Sequence, residues 1–288
     1  MQIIFNGLIQ GLLTALIALG FSLVYNTTGI FHIAQGAVYA IAPFILLSFI
    51  QAGMGWPLAL ITSLVAAIII SIVIELINHS PLDKKGASKE IHLISSLGAY
   101  IILTQIIAII WGNETKVLRE GIDITYTFGD VILVQSQVIG GTLSIFLLFG
   151  FFYWLKRTNL GLQFQAMSDN PIQLALLGYD TGRLRLLVFA LSGLFTASAA
   201  MLTALDVGFD PHGGLTAVLI GMVATIIGGR GSFVGPVIGG VILGIIRAQI
   251  TWHTSARWEE AATFLLLALF LFFRPQGILG KRGRIEAQ

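Results

Sequence analysis

Cysteine is absent from the 288 residues, which excludes disulfides and thiolate metal sites. Charge is scarce too. Lys, Arg, Asp and Glu make up 10% of the chain, against about 25% in a soluble domain, so an ordinary water-soluble globule is excluded. There is no G-x-x-x-x-G-K-[ST] loop to cradle ATP phosphates, no H-E-x-x-H and no G-x-S-x-G, so any ATP-driven motor has to be another chain and an enzyme is disfavoured. The five histidines, His32, His79, His92, His212 and His253, are scattered and mostly lie at segment ends, where wet interfacial side chains are expected. Neither a metal nor a cofactor is implied. The net charge of +2 is small, and no nucleic-acid partner is expected.

What the chain has is apolar length. Hydrophobic residues make up 56% of it, and the mean hydropathy is +0.90. Uncharged stretches of about 20 residues recur, the length of a membrane-crossing helix. Within lipid every backbone polar group needs an internal partner, which leaves helices or a closed barrel. The stretches are continuous rather than alternating, so an all-α polytopic membrane protein is expected, a single transmembrane domain over residues 1–288. Segments are expected at 3–24, 38–49, 58–77, 92–111, 131–155, 186–205, 215–227, 233–250 and 261–273. The first lacks a basic leader and a small-residue cleavage site, and reads as a retained span. Segments 38–49 and 215–227 are short for an upright crossing. The expectation is therefore eight or nine membrane segments, one or two of them broken or re-entrant. The two short segments take roughly corresponding places in the two halves, as inverted repeats would, with no repeat visible residue by residue. Residues 79–90 read as a polar loop, and the alternation over 122–128 suits a small hairpin edge.

Residues 156–185 form the longest polar interruption. Ser168, Asp169 and Asn170 ahead of Pro171 make a helix start, since a capping side chain accepts from free N–H groups and Pro fits the first turn. Gly178 suits the stop. Between them Ile172-Gln173-Leu174-Ala175-Leu176-Leu177 makes about two turns of mostly apolar helix outside the membrane. Residues 161–167 read as its lead-in. This helix has no Lys or Arg on a polar face to hold it on headgroups. It therefore asks for a protein partner.

The positive-inside rule places this loop in the cytoplasm. Twelve of the sixteen basic residues then share its side: Lys84, Lys85, Lys89, Lys156, Arg157, Arg183, Arg185, Arg230, Arg274, Lys281, Arg282 and Arg284. Lys116, Arg119, Arg247 and Arg257 do not. The C-terminus is cytoplasmic in this arrangement, and the N-terminus lies outside if all nine segments cross.

Polar residues inside apolar segments are the usual pointers to a transport route. Asn26, His32, Gln35, Gln105 and Arg247 qualify; Glu75 lies near enough to a span end to reach the interface. No buried series of carboxylates is visible, which counts against a proton-coupled carrier. The glycine series Gly228-Gly229-x-Gly231-Ser232-x-x-Gly235, continued by Gly239, Gly240 and Gly244, fits tight helix packing, a broken helix beside the route, or both.

Four stretches resemble one family in order and spacing: Asn26 to Gly36 with its I-F-H-I-A-Q-G run, Thr158-x-x-Gly161-x-x-x-x-Ala166 followed by Ala175-x-Leu177-Gly178, the Gly228 series, and Arg274-Pro275-x-Gly277-Ile278-x-Gly280. The family is the branched-chain amino acid ABC transporter permeases of the LivH type. The chain departs from it at Leu162, Gln163 and Gln165, where basic residues are usual. The resemblance implies a bacterial inner-membrane permease of an importer. It would pair with a second homologous permease, two ATP-binding cassette ATPase subunits and an extracytoplasmic substrate-binding protein. Gly161, Ala166, Asp169, Asn170, Ala175, Leu176, Leu177 and Gly178 would couple to the ATPase. Asn26, His32, Gln35, Gln105, Gly228, Gly229, Gly231 and Ser232 would border the substrate pathway. The alternatives are a permease for urea or short amides, or a stand-alone secondary transporter or channel.

Overall fold

The computed structural model describes residues 1–119, 124–129, 131–229 and 231–280. The basic residues Arg230, Lys281, Arg282 and Arg284 lie outside them, as do Ile122 and Asp123 of the expected hairpin edge. In chain order the elements are α1 (Gln2–Thr28), α2 (Gln35–Gln51), α3 (Trp56–Ile74), a π-turn (Glu75–His79), α4 (Ser80–Lys84), α5 (Lys89–Trp111), β1 (Thr125–Phe128), β2 (Val131–Val134), α6 (Gln135–Arg157), α7 (Asn159–Asp169), α8 (Pro171–Leu176), α9 (Thr181–Asp206), α10 (Gly213–Gly228), α11 (Gly235–His253) and α12 (Glu259–Phe273). The fold is predominantly helical. Among the described residues six helices have the length and apolarity to cross a membrane: α1, α3 run on through α4, α5, α6, α9 and α11. α2, α10 and α12, with 17, 16 and 15 residues, are shorter.

Three expectations are corrected. Residues 79–84 are helical rather than loop, because α3 continues through the π-turn. Residues 131–134 form a strand paired antiparallel with β1, and α6 starts after them. The stretch leading into α8 is itself a helix, α7.

α1 and α9 are the most enclosed of the long helices. α1 runs along α9, α10 and α11, and its approach to α11 depends on missing side chains. A Cβ on Gly11 would lie 2.8 Å from the Val241 Cα, and one on Gly240 2.7 Å from the Ala15 Cα. Gly7 and Gly244 meet backbone equally closely. Lipid is as apolar as leucine, so small residues that let backbones touch carry helix association here. α9 packs on α3 in the same way through Gly193 against Ser71, whose hydroxyl donates to the Phe189 carbonyl at 2.6 Å.

α2 and α10 begin inside the bundle. Gln35, at the start of α2, reaches Ile17 and Gly20, midway along α1. The first turns of α2 and α10 touch: the Gly36 carbonyl blocks any Cβ on Gly214, and one on Gly36 would lie 2.9 Å from the Gly214 carbonyl oxygen. From there the helices diverge. α2 ends near Trp111, whose indole N–H donates to Ser48 at 2.8 Å. α10 ends at the opposite pole, where Ile227 and Gly228 accept from Ile278 and Leu279. We call this pole, which also carries α7 and α8, the loop end.

Filling the α1–α11 contact should be costly. Gly11→Leu or Gly240→Leu is expected to lower the melting midpoint of the detergent-solubilised protein by roughly 5 °C or more. Gly98→Ala, where a Cβ meets nothing within 4 Å, should leave it unchanged or slightly raised. Equal midpoints for all three would contradict the crossing.

Candidate functional site

At the loop end α6 gives way to α7 without leaving room for a side chain at Gly161, where a Cβ would strike the Leu155 carbonyl. Thr158 caps α7 by accepting from Gly161 N–H at 3.1 Å. Phe164 and Met167 turn inward, with Phe164 edge-on to Trp154 at 5.5 Å. Gln165 donates to the Leu155 carbonyl at 3.2 Å, and half-buried Ala166 accepts from Asn170 N–H at 2.9 Å. α7 is thereby fixed to α6.

α8 is capped at Asn170, whose Oδ1 accepts from Ile172 and Gln173 N–H at 3.1 and 3.0 Å. It closes at Leu177, and Gly178 takes the left-handed φ of 87° that the stop requires. One side chain, Leu174, anchors it at 3% exposure, while Ile172, Leu176 and Leu177 stand 72%, 82% and 75% exposed. Ala175 is exposed beside them and Asp169 is exposed just upstream.

The chain then enters α9, capped by Asp180 accepting from Arg183 N–H at 3.0 Å. Two residues on, Arg185 turns inward. It pairs with Glu75 in the π-turn and with Asp83 in α4. Glu75, expected at the interface, is 2% exposed. Ser63, Ala67 and Ser71, buried at four-residue intervals, put Glu75 on the same inward face of α3, and the π-turn carries that face on to His79. A cleft of about 630 Å³ opens beside this ion cluster, bordered by Thr27, Thr28, Pro171 and Arg183.

From Asp83 a line of buried side chains runs inward. His92 Nε2 lies 2.9 Å from Asp83 Oδ1, His92 Nδ1 lies 3.2 Å from His79 Nδ1, and His79 Nε2 lies 3.1 Å from His32 Nδ1. The Phe189 ring packs against both His32 and His79. His32 sits in the connector that delivers α2. Three residues later Gln35 donates to Thr196 on α9. The histidines form a line rather than a cage, and among the described residues no three His, Asp or Glu side chains converge on a metal-sized position.

The sequence-predicted pathway residues thus separate. His32 and Gln35 belong to the interior. Asn26 belongs to the loop end, where it donates to the Ser232 carbonyl and accepts from Gly231 N–H. Gly228 and Gly229 pack on Gly235, Gly277 and Gly280, and Ser232 accepts from Gly235 N–H; this group closes the α10–α11 turn. Gln105 faces outward from α5 and joins none of them. His79, His92, Glu75, Asp83 and Arg185 are the members sequence reasoning missed. The i, i+4 spacing of Glu75 and His79 was the available signal.

The fold and site define a multi-pass membrane protein that presents a capped apolar helix outside its spanning helices. A family model described as "Branched-chain amino acid transport system / permease component" matches residues 3–273, and the chain belongs to that family. It is 29% identical over 296 residues to the high-affinity branched-chain amino acid transport system permease protein BraD of Pseudomonas aeruginosa, covering 98% of this chain and 96% of that one. It is 28% identical over 297 residues to LivH of Escherichia coli K12, with the same coverage. Among solved structures, "PsaBC from Streptococcus pneumoniae in complex with Fab" shares the fold at a TM-score of 0.53 and 15% identity, over 95% of this chain and 92% of that one.

Arg185→Gln leaves Glu75 buried without its cation and should cost about 3–5 kcal/mol. The double variant Arg185→Gln/Glu75→Gln is expected to regain at least half of the lost melting temperature. A double variant no better than the single one would show that the pair is not coupled.

Proposed function

We propose that this chain is a permease subunit of an ABC importer in a bacterial inner membrane, carrying branched-chain amino acids. The observation that carries this reading is α8. It is held by one buried leucine and shows its other large apolar side chains to the outside. An exposed apolar helix of this kind is a ready docking surface. The chain has no nucleotide-binding loop of its own, so the partner that fits is an ATPase. Two ATPase subunits, a second homologous permease and an extracytoplasmic binding protein complete the assembly. The substrate class follows the named function of BraD and LivH.

In this arrangement the loop end and the C-terminus are cytoplasmic, in keeping with the bias of basic residues. When the ATPase dimer closes, it displaces α8. α9 follows directly, and Arg185 passes the movement to Glu75 and Asp83. The histidine line then connects Asp83 to the connector that holds α2 and Gln35. The result is alternating access by rigid-element rocking around the two half-helices. Selectivity rests in large part with the binding protein.

Leu176→Asp or Ala175→Arg should abolish pull-down of the ATPase while the permease still inserts. Undiminished pull-down would remove α8 as the docking element. In the complete transporter, labelled leucine uptake should be competed by isoleucine and valine and not by urea. Ion-gradient-driven flux through the chain alone would instead establish a secondary transporter.

A further inference from the structure

The pole opposite the loop end holds a second cavity, of about 310 Å³. It lies where α1, α2, α9 and α10 meet the α11–α12 corner. Leu13, Ile17 and Ile220 give it an apolar wall, and Asp206, Arg247 and Glu259 give it charge. Arg247 lies within α11, six residues short of its end at His253. Its Nη2 donates to Glu259 Oε2 at 2.7 Å, and Thr251 donates to the other oxygen of Glu259. Glu259 is therefore fully engaged. Arg247 is not: its buried Nε has no hydrogen-bond partner among the described residues. Asp206 accepts from Ser136 through Oδ1 at 3.1 Å.

A charged pair between apolar helices is expensive wherever it faces lipid and is kept where it meets a partner, a water-filled cavity or a substrate. The Arg247 and Glu259 side chains are 20% and 22% exposed, so the pair is open to the cavity rather than sealed in packing. A tie between α11 and α12 alone would need neither the third charge at Asp206 nor the aliphatic wall. The cavity thus offers a cationic side chain with more donors than its one ion pair uses, a separate carboxylate and an aliphatic surface. Its volume falls at the small end of ligand pockets, roughly 300–1,000 Å³.

We propose that this cavity receives a zwitterionic amino acid with an aliphatic side chain. The carboxylate accepts from Arg247, the ammonium donates to Asp206, and the side chain lies against Leu13, Ile17 and Ile220. The assignment rests on the permease reading above and adds to it a substrate position within this subunit.

The test uses the permease–ATPase complex in nanodiscs without binding protein. It is titrated with radiolabelled leucine, in competition with leucinamide, which lacks the carboxylate, and 4-methylpentanoate, which lacks the ammonium. Wild type should bind leucine saturably and each analogue about tenfold or more weakly. Arg247→Gln should weaken leucine about tenfold and erase discrimination against leucinamide. Asp206→Asn should erase discrimination against 4-methylpentanoate. Arg247→Lys, which keeps the charge, should retain discrimination, and it carries the test with Asp206→Asn if Arg247→Gln does not assemble. Absence of saturable leucine binding in wild type, or discrimination unchanged in the variants, overturns the assignment. Leucine uptake by the complete wild-type transporter separates the two levels. If uptake occurs while binding is insensitive to these variants, the cavity assignment alone fails. If no leucine is taken up, the permease reading itself fails.

Discussion

A helix that begins inside an apolar slab presents backbone N–H groups where no water can take them. Much of this architecture answers that constraint twice. At α2 the Ala34 N–H goes to the Ser96 hydroxyl of α5 at 2.9 Å, and the next three go to the carbonyls of His32, Ile33 and Ala34. At α10 the His212 and Gly213 N–H groups go to one carboxylate oxygen of Asp210 at 2.8 and 3.0 Å. Tyr100, one turn beyond Ser96 on the same helix, donates to the His212 carbonyl at 3.3 Å. α5 therefore serves both starts. A shift of either helix start breaks these bonds.

The same constraint explains where the small residues fall. Glycines at the α2–α10 contact let two helix starts share one place. Glycines along α1 and α11 let the longest helix lie close enough to enclose them. The histidine line follows from this enclosure. His32 sits in a connector that has to run back into the bundle, and its Nδ1 meets another imidazole there rather than water. That line ends in ions at the loop end, so the stretch of chain least at home in lipid is tied to the stretch that faces outside it.

Hydropathy made the long helices legible, and the shortness of residues 38–49 and 215–227 marked the short helices α2 and α10. Local chemistry was legible as well: Asn170 before Pro171 and Gly178 at the stop are read from neighbours a few residues away. Facing was partly legible: on α5 the polar residues His92, Ser96, Tyr100 and Thr104 stand four apart and are all buried, a stripe that leaves Gln105 outside it. What could not be read was contact between elements. The histidines come from three elements, with His32 and His79 forty-seven residues apart and His79 and His92 thirteen. Each looked like an ordinary interfacial side chain until packing brought them into line. Glu75 and His79 continue the four-residue stripe of Ser63, Ala67 and Ser71, which was the mark in the residue pattern that pointed them inward. The Gly228 series was read as packing, pathway or both, and its contacts with Gly277 and Gly280 supply the packing.

The meeting of α2 and α10 has an electrical side. Each helix start carries the equivalent of roughly half a positive charge, and here two face one another in a region of low dielectric. Asp210 offsets part of this at α10, while α2 has no acid in its first turn. An unsolvated cation at that contact would therefore meet a repulsive potential, and an anion or the negative end of a dipole an attractive one.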